Sequence, residues 1–251
     1  MTKLRGFLPG VVLAGTLLLI ALSPPRPALI LFTDPSRPLD TELRAALRDH
    51  APDQILLSAT HQTRFQACVG EPGAVALAVV AADGTPIAAK TADLEPAAVA
   101  RFLRRAKAGA RLRDLPLARL QLEVLSLPLA RATLLALPDT APRRALLART
   151  HALLGEADKA RRLGPLDALT EALCCVIELQ AAAALARVDA ATGEPDLALL
   201  VRADALHVGR RCADAVVALE HLLANHPDSA FVPWARARLD HLRSPNHGHD
   251  H

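Results

Sequence analysis

Apolar and polar positions change their rhythm three times along this chain, and the changes divide it into four stretches. Phe7 to Leu22 is a run without a single charge, preceded by Lys3 and Arg5 and closed by Ser23, Pro24, Pro25, Arg26 and Pro27. From Ala28 to Ala108 short apolar runs alternate with amphipathic patterns, which predicts an α/β layer structure. ALILF at 28–32 reads as a buried strand, broken by Thr33 to Pro38. Asp40 is an N-cap for a helix reaching His50, with Leu43, Ala46 and Leu47 on one face. Pro52 ends that helix, and Gln54 to Ala59 and Val75 to Ala81 read as two more strands. Asp83-Gly84 supplies a hairpin turn. Pro86 to Thr91 returns as a fourth strand at an edge, since proline cannot donate to the ladder. Glu95 to Ala108 then predicts a helix whose Val99, Phe102, Leu103 and Ala106 face the sheet.

From Gly109 the strand signals stop, and residues 109–243 read as Ala/Leu/Arg helices. Breaks fall near Pro116, Pro128, Pro138 to Pro142, Gly155, Gly164-Pro165, Gly193 to Pro195, Gly209 and Pro227, leaving helices of ordinary length that pair as hairpins. Asn225 to Ser229 ends one helix and caps the next, which carries Trp234, Ala235, Leu239 and Leu242. Residues 244–251 form a short tail rich in histidine.

Composition narrows the function. The chain is 51% hydrophobic and 22% charged, enough to bury a core. Net charge is only +3, aromatics are 2% and tyrosine is absent. Neither a basic footprint nor stacking rings for nucleic acid stand out. The first 27 residues read as a targeting segment, because a basic n-region before an apolar h-region is an export signal. The run is short for a span, which needs about 17 to 20 residues. It predicts either an uncleaved anchor helix in a bacterial inner membrane or a cleaved signal. In both cases Lys3 and Arg5 stay inside and the body lies in the periplasm.

The order strand, helix, strand, β-hairpin, helix in residues 28–108 resembles the thioredoxin fold, with one local phrase, Leu31-Phe32-Thr33-Asp34-Pro35-Ser36-Arg37-Pro38. Where redox-active members of that family carry CxxC at the N-terminus of the helix, this chain has Asp34, Pro35, Ser36, Arg37 and Pro38, without sulfur. The resemblance implies the fold and argues against the family's thiol chemistry, for which Ser36 has no activating base. In the helical part, Asp196 to Pro227 resembles a tetratricopeptide repeat of about 34 residues. Ala203, Leu206, Ala215, Leu219 and Pro227 fill its small, large, small, large and terminating positions. A second, shorter match runs from Arg144 to Leu163 through Ala148, Gly155 and Ala160. The expected architecture is therefore an apolar anchor helix (1–27), a thioredoxin-like α/β domain without catalytic cysteines (28–108), a TPR-like α-helical hairpin domain (109–243) and a tail (244–251).

Cys68, Cys174, Cys175 and Cys212 make no CxxC or zinc pattern and read as small core residues or a disulfide partner to Cys212. Seven histidines are scattered, without HExxH spacing. His247, His249 and His251 alternate in the tail and could converge on a divalent cation such as Zn²⁺, Ni²⁺ or Cu²⁺. Arg101, Arg104, Arg105, Arg111 and Arg113 form a basic run, read as a solvated face or a contact to anionic headgroups. No nucleotide-binding loop or nucleophile elbow occurs, and no cofactor is implied. The expected function is an interaction or assembly scaffold, tethered to the membrane by its N-terminal segment, that holds a protein or peptide in a helical groove. The alternative is a thiol-disulfide or metal-handling envelope protein.

Overall fold

A computed structural model describes residues 28–32, 41, 47, 76–80, 86–90, 96–109 and 112–244. The N-terminal segment, the 34–38 loop, the 54–59 strand, Cys68, Arg111 and the histidine tail all lie outside the described residues. No described helix is long and apolar enough to cross a membrane. What is described is mostly helical, with one small sheet.

Strands β1 (Ala28–Phe32), β2 (Ala76–Val80) and β3 (Pro86–Lys90) lie in the order β1-β2-β3, both pairs antiparallel. Ala28 faces Val80 and Phe32 faces Ala76, while Ala78 faces Ala89 across the hairpin, with an irregularity at Val79/Val80. Among the described strands, the 28–32 and 75–81 runs and the edge position of Pro86 fall where the sequence puts them. Every pair among the described strands is antiparallel. Helix α1 (Pro96–Ala108) lays Val99, Phe102, Leu103 and Ala106 on Leu77, Val79 and Ile87. Leu47 belongs to the same cluster.

The sheet core continues past Gly109. Leu117, Leu120 and Val124 of the next segment pack into the cluster that holds Leu77 and Phe102. Gly109 permits that approach, because a Cβ there would sit 1.9 Å from Leu120 Cδ2.

Nine further helices follow: α2 (Asp114–Glu123), α3 (Leu127–Ala136), α4 (Ala141–Leu153), α5 (Ala157–Arg161), α6 (Ala168–Ile177), α7 (Ala181–Asp189), α8 (Pro195–Val208), α9 (Cys212–Asn225) and α10 (Val232–Arg243). They form four hairpins, α2/α3, α4/α5, α6/α7 and α8/α9, with α10 packed on the last. Pro116, Pro128, Pro142 and Pro195 are not in turns; they sit in the first turns of α2, α3, α4 and α8. There the missing N–H costs nothing and the fixed φ suits the helix.

All four hairpins turn in the same way. Leu125, Gly155, Leu179 and Arg210 adopt left-handed φ of 56°, 79°, 60° and 59°. The next residue's N–H reaches back five residues: Ser126 to Gln121 O, Glu156 to His151 O, Gln180 to Cys175 O and Arg211 to Leu206 O, at 2.7 to 2.8 Å. This is the Schellman closure of a helix end. That following residue keeps one conformation, with ψ of 59°, 60°, 67° and 57° in the four turns. The break at Leu179 has no glycine or proline to announce it, so the sequence reads helix straight through it.

Arginine–carboxylate pairs join neighbouring hairpins. Arg131 meets Glu156 at 3.5 Å, Arg161 meets Glu171 at 2.9 Å and also Glu178, and Arg202 meets Asp189 at 2.6 Å. Arg238 and Arg243 of α10 pair with Asp204 and Glu220. Exposed pairs contribute at most about 1 kcal/mol each. The buried leucine and alanine clusters carry the stacking.

Candidate partner-binding groove

A groove of about 650 Å³ opens where α1, α2, α4, the start of α8 and the turn before α10 converge. Its floor is apolar, with Leu120, Leu122, Leu146, Leu153, Leu197 and Phe231. The rim is charged, with Arg105, Arg119 and Arg149 near Glu123, Glu194 and Asp196.

Each rim group has a defined setting. Arg149, on α4, is clamped between Asp167 at 3.1 Å and Glu194. Burial works against its charge, but these carboxylates outweigh it and hold its pKa above the ordinary arginine value. Asp167 caps α6, accepting from Thr170 N at 3.0 Å and Thr170 Oγ1 at 2.7 Å. Burial alone would raise its pKa; the Thr170 hydrogen bonds and the Arg149 charge reverse that and hold it low. Asp196 accepts from the Ser229 hydroxyl at 2.7 Å, which fixes the turn before α10 against the start of α8. Arg105 reaches the Asp228 carbonyl at 3.3 Å, so α1 touches the far end of the array. Arg119 and Glu123, one turn apart on α2, form no ion pair with another described residue and are exposed. They remain available to a ligand.

The repeat-pattern residues are brought together. Ala203, Leu206, Ala215 and Leu219 are buried in one cluster with Leu222. Pro227 is exposed in the turn after α9. In the second match Ala148 and Ala160 share a cluster, Gly155 supplies the left-handed turn, and α5 is short, as Gly164-Pro165 predicts. The caps differ in one place. Ser229 bonds Phe231 N at 3.1 Å within the turn, and the residue before α10 is Phe231 itself. Of the arginine run, Arg104 and Arg105 are exposed on α1.

The thiols are poorly disposed to react. Cys174 is fully buried, and burial pushes its pKa up to about 11; burial raises Cys175 as well. Both are therefore protonated near neutral pH, and the thiolate is the reactive form. No disulfide joins Cys174, Cys175 and Cys212 to one another. The sequence did not reveal the groove itself. Its floor combines Leu120 with Phe231, 111 residues apart, and nothing local in either segment marks them as neighbours.

Compared with protein-family models, with curated proteins and with solved structures, the chain matches none of them.

Proposed function

We propose that this chain is an exported, membrane-tethered interaction or assembly scaffold. A thioredoxin-like domain without catalytic cysteines leads into TPR-like hairpins, whose groove holds an extended segment or helix of a partner protein. The observation that carries the reading is the fourfold recurrence of one hairpin turn in an array that curls round an apolar-floored groove. Stacked hairpins present such surfaces to peptides and helices. An apolar floor with Arg119 and Glu123 free at the rim suits a polypeptide bearing charges of both signs beside an apolar anchor. The antiparallel order β1-β2-β3 with α1 beneath it is compatible with the thioredoxin-like reading. The two raised thiol pKa values weigh against a thiol-disulfide activity.

A photocrosslinking residue at Arg119, in chain expressed in its own membranes, tests the groove. Discrete adducts from Arg119 that are absent from the exposed control Ala213 are expected. Equal or absent labelling at both positions would remove the groove from the function. Protease added to spheroplasts checks the location, with degradation of the body expected and protection contradicting export.

A further inference from the structure

The charges around the groove are not equally engaged. On the α8 side Glu194 is taken up by Arg149, and Asp196 accepts from Ser229 Oγ at 2.7 Å and from Leu197 N at 2.9 Å. Arg149 is held by Asp167 as well, so every charge of that wall already has a partner within the chain. The α1/α2 wall differs. Arg119 has no partner among the described residues, and Arg105 bonds only to the Asp228 carbonyl, which leaves its charge unmatched. Helix α1 contains no acidic residue, and Arg101 and Arg104 are likewise without a carboxylate partner among the described residues. Arg101, Arg105 and Ala108 stand at i, i+4 and i+7 and so share one helix face, which Arg105 and Ala108 bring to the groove. Glu123, at the end of α2, is the one carboxylate with which this wall lines the groove. The wall therefore carries a net positive charge beside a floor of Leu120, Leu146, Leu153 and Phe231.

We propose, resting on the scaffold reading above, that the occupant of the groove is an acidic amphipathic segment of a partner protein. Its large apolar side chains fill the floor, and carboxylates along one edge meet Arg105, Arg119 and, further along α1, Arg101. Glu123 accepts a single base at the end of the segment. A guanidinium presents a planar fork of N–H donors that a carboxylate takes with two hydrogen bonds. Exposed pairs of this kind are weak, so the floor supplies most of the affinity and the arginines supply the choice of partner. A basic segment of the same shape sets ammonium groups against guanidinium groups, and repulsion rejects it.

The test uses the full chain in phosphatidylcholine nanodiscs and three fluorescein-labelled peptides. Two share their leucine positions and carry either glutamate or lysine at the polar ones; the third keeps the glutamates and replaces leucine by serine. Fluorescence anisotropy should show the glutamate–leucine peptide binding about tenfold or more tighter than the lysine–leucine peptide, and tighter than the glutamate–serine peptide by a similar factor. Arg105→Glu with Arg119→Glu should reverse the order of the first two. Arg162→Glu with Arg187→Glu, an equal charge change at exposed positions away from the groove, should leave it unchanged. Arg105→Gln with Arg119→Gln, its folding checked by circular dichroism, should remove the preference should the glutamate pair prove unstable. Equal affinity for the two leucine peptides overturns the acidic partner but leaves the groove a binding surface, and so does a preference lost in the Arg162/Arg187 control. Equal affinity for the two glutamate peptides means that the floor takes no part and also overturns it. If no peptide binds, the acidic partner falls, and the Arg119 photoadducts decide the scaffold reading by themselves. A mass by light scattering that drops from dimer to monomer with Arg105→Glu and Arg119→Glu makes a second copy of the chain the occupant, which likewise overturns it.

Discussion

The hydroxyl of Ser126 makes two hydrogen bonds to one residue, accepting from Ala89 N at 2.9 Å and donating to Ala89 O at 2.6 Å. Ala89 lies on β3, and these are the backbone groups that its pairing with Ala78 leaves on the outer edge. An unpaired buried strand edge carries a desolvation penalty and invites foreign strands. A side chain from the first hairpin turn therefore completes the sheet and locks the helical array to it. Ser126→Ala leaves a buried N–H and C=O without partners, and a loss of about 1–3 kcal/mol is expected. Urea denaturation measures the cost, and hydrogen exchange at the Ala89 amide should accelerate more than exchange in α9.

The turn at Leu179 gives a second expectation. A leucine at φ 60° carries strain that asparagine or glycine avoids, and its side chain is 73% exposed, so little packing depends on it. Leu179→Asn should raise stability by about 0.5–1 kcal/mol. Leu179→Val, β-branched in the left-handed region, should lower it by about 1 kcal/mol or more. A thermal melt in which valine equals or exceeds asparagine would contradict the Schellman turn.

These two sites show where the fold is legible in the sequence and where it is not. Strand ALILF follows from a continuous apolar run and the 86–90 edge from its proline, while the Val99/Phe102/Leu103/Ala106 face follows from periodicity, because burial selects residue type along a helix face. The hairpin turns do not. Three of the four left-handed positions are Leu125, Leu179 and Arg210, where the closing hydrogen bonds override residue preference. Their spacings, 30, 24 and 31 residues, also hide the repeat from any search at one fixed period. Nothing local marks Ser126, since its partner Ala89 is 37 residues away. Within the candidate groove, charge type is legible but convergence is not. Arg149 meets Asp167 and Glu194 only once α4, α6 and α8 are stacked.

Acid should weaken the array through Asp167. Its folded pKa is depressed, so the stabilisation is present above the ordinary carboxylate value of about 3.9 and is lost as pH falls through the lower folded value. Asn at this position still caps α6 but cannot attract Arg149. Asp167→Asn should cost about 0.2–1 kcal/mol at pH 7, the range for a partly exposed pair. The gap to wild type should close as pH drops below about 4. Glu156 and Glu178 are also depressed, by hydrogen bonds from Lys159 and His151 and from Arg161 respectively. The variant therefore keeps a shallower acid transition. Melts across pH 2–7 that run parallel for the two proteins would remove Asp167 from the account.

Residue size decides the arrangement of the last hairpin. Ala203 on α8 and Ala215 on α9 are essentially buried and share a cluster with Leu206, Leu219 and Leu222. Small residues at such places let two helices approach, and added methylenes must displace backbone or neighbouring side chains. Ala215→Leu should therefore cost about 1–3 kcal/mol. Ala213, two residues earlier on α9, is exposed. There the same substitution stays within about 0.5 kcal/mol, because leucine is as good a helix former and meets only water. The comparison holds the helix-propensity change constant and varies what the side chain touches. Full-length protein carrying each change, melted in parallel, should show a clear drop in Tm for Ala215→Leu alone. Equal midpoints would mean that α8 and α9 do not close on Ala215, and the repeat reading of 196–227 would lose its physical basis.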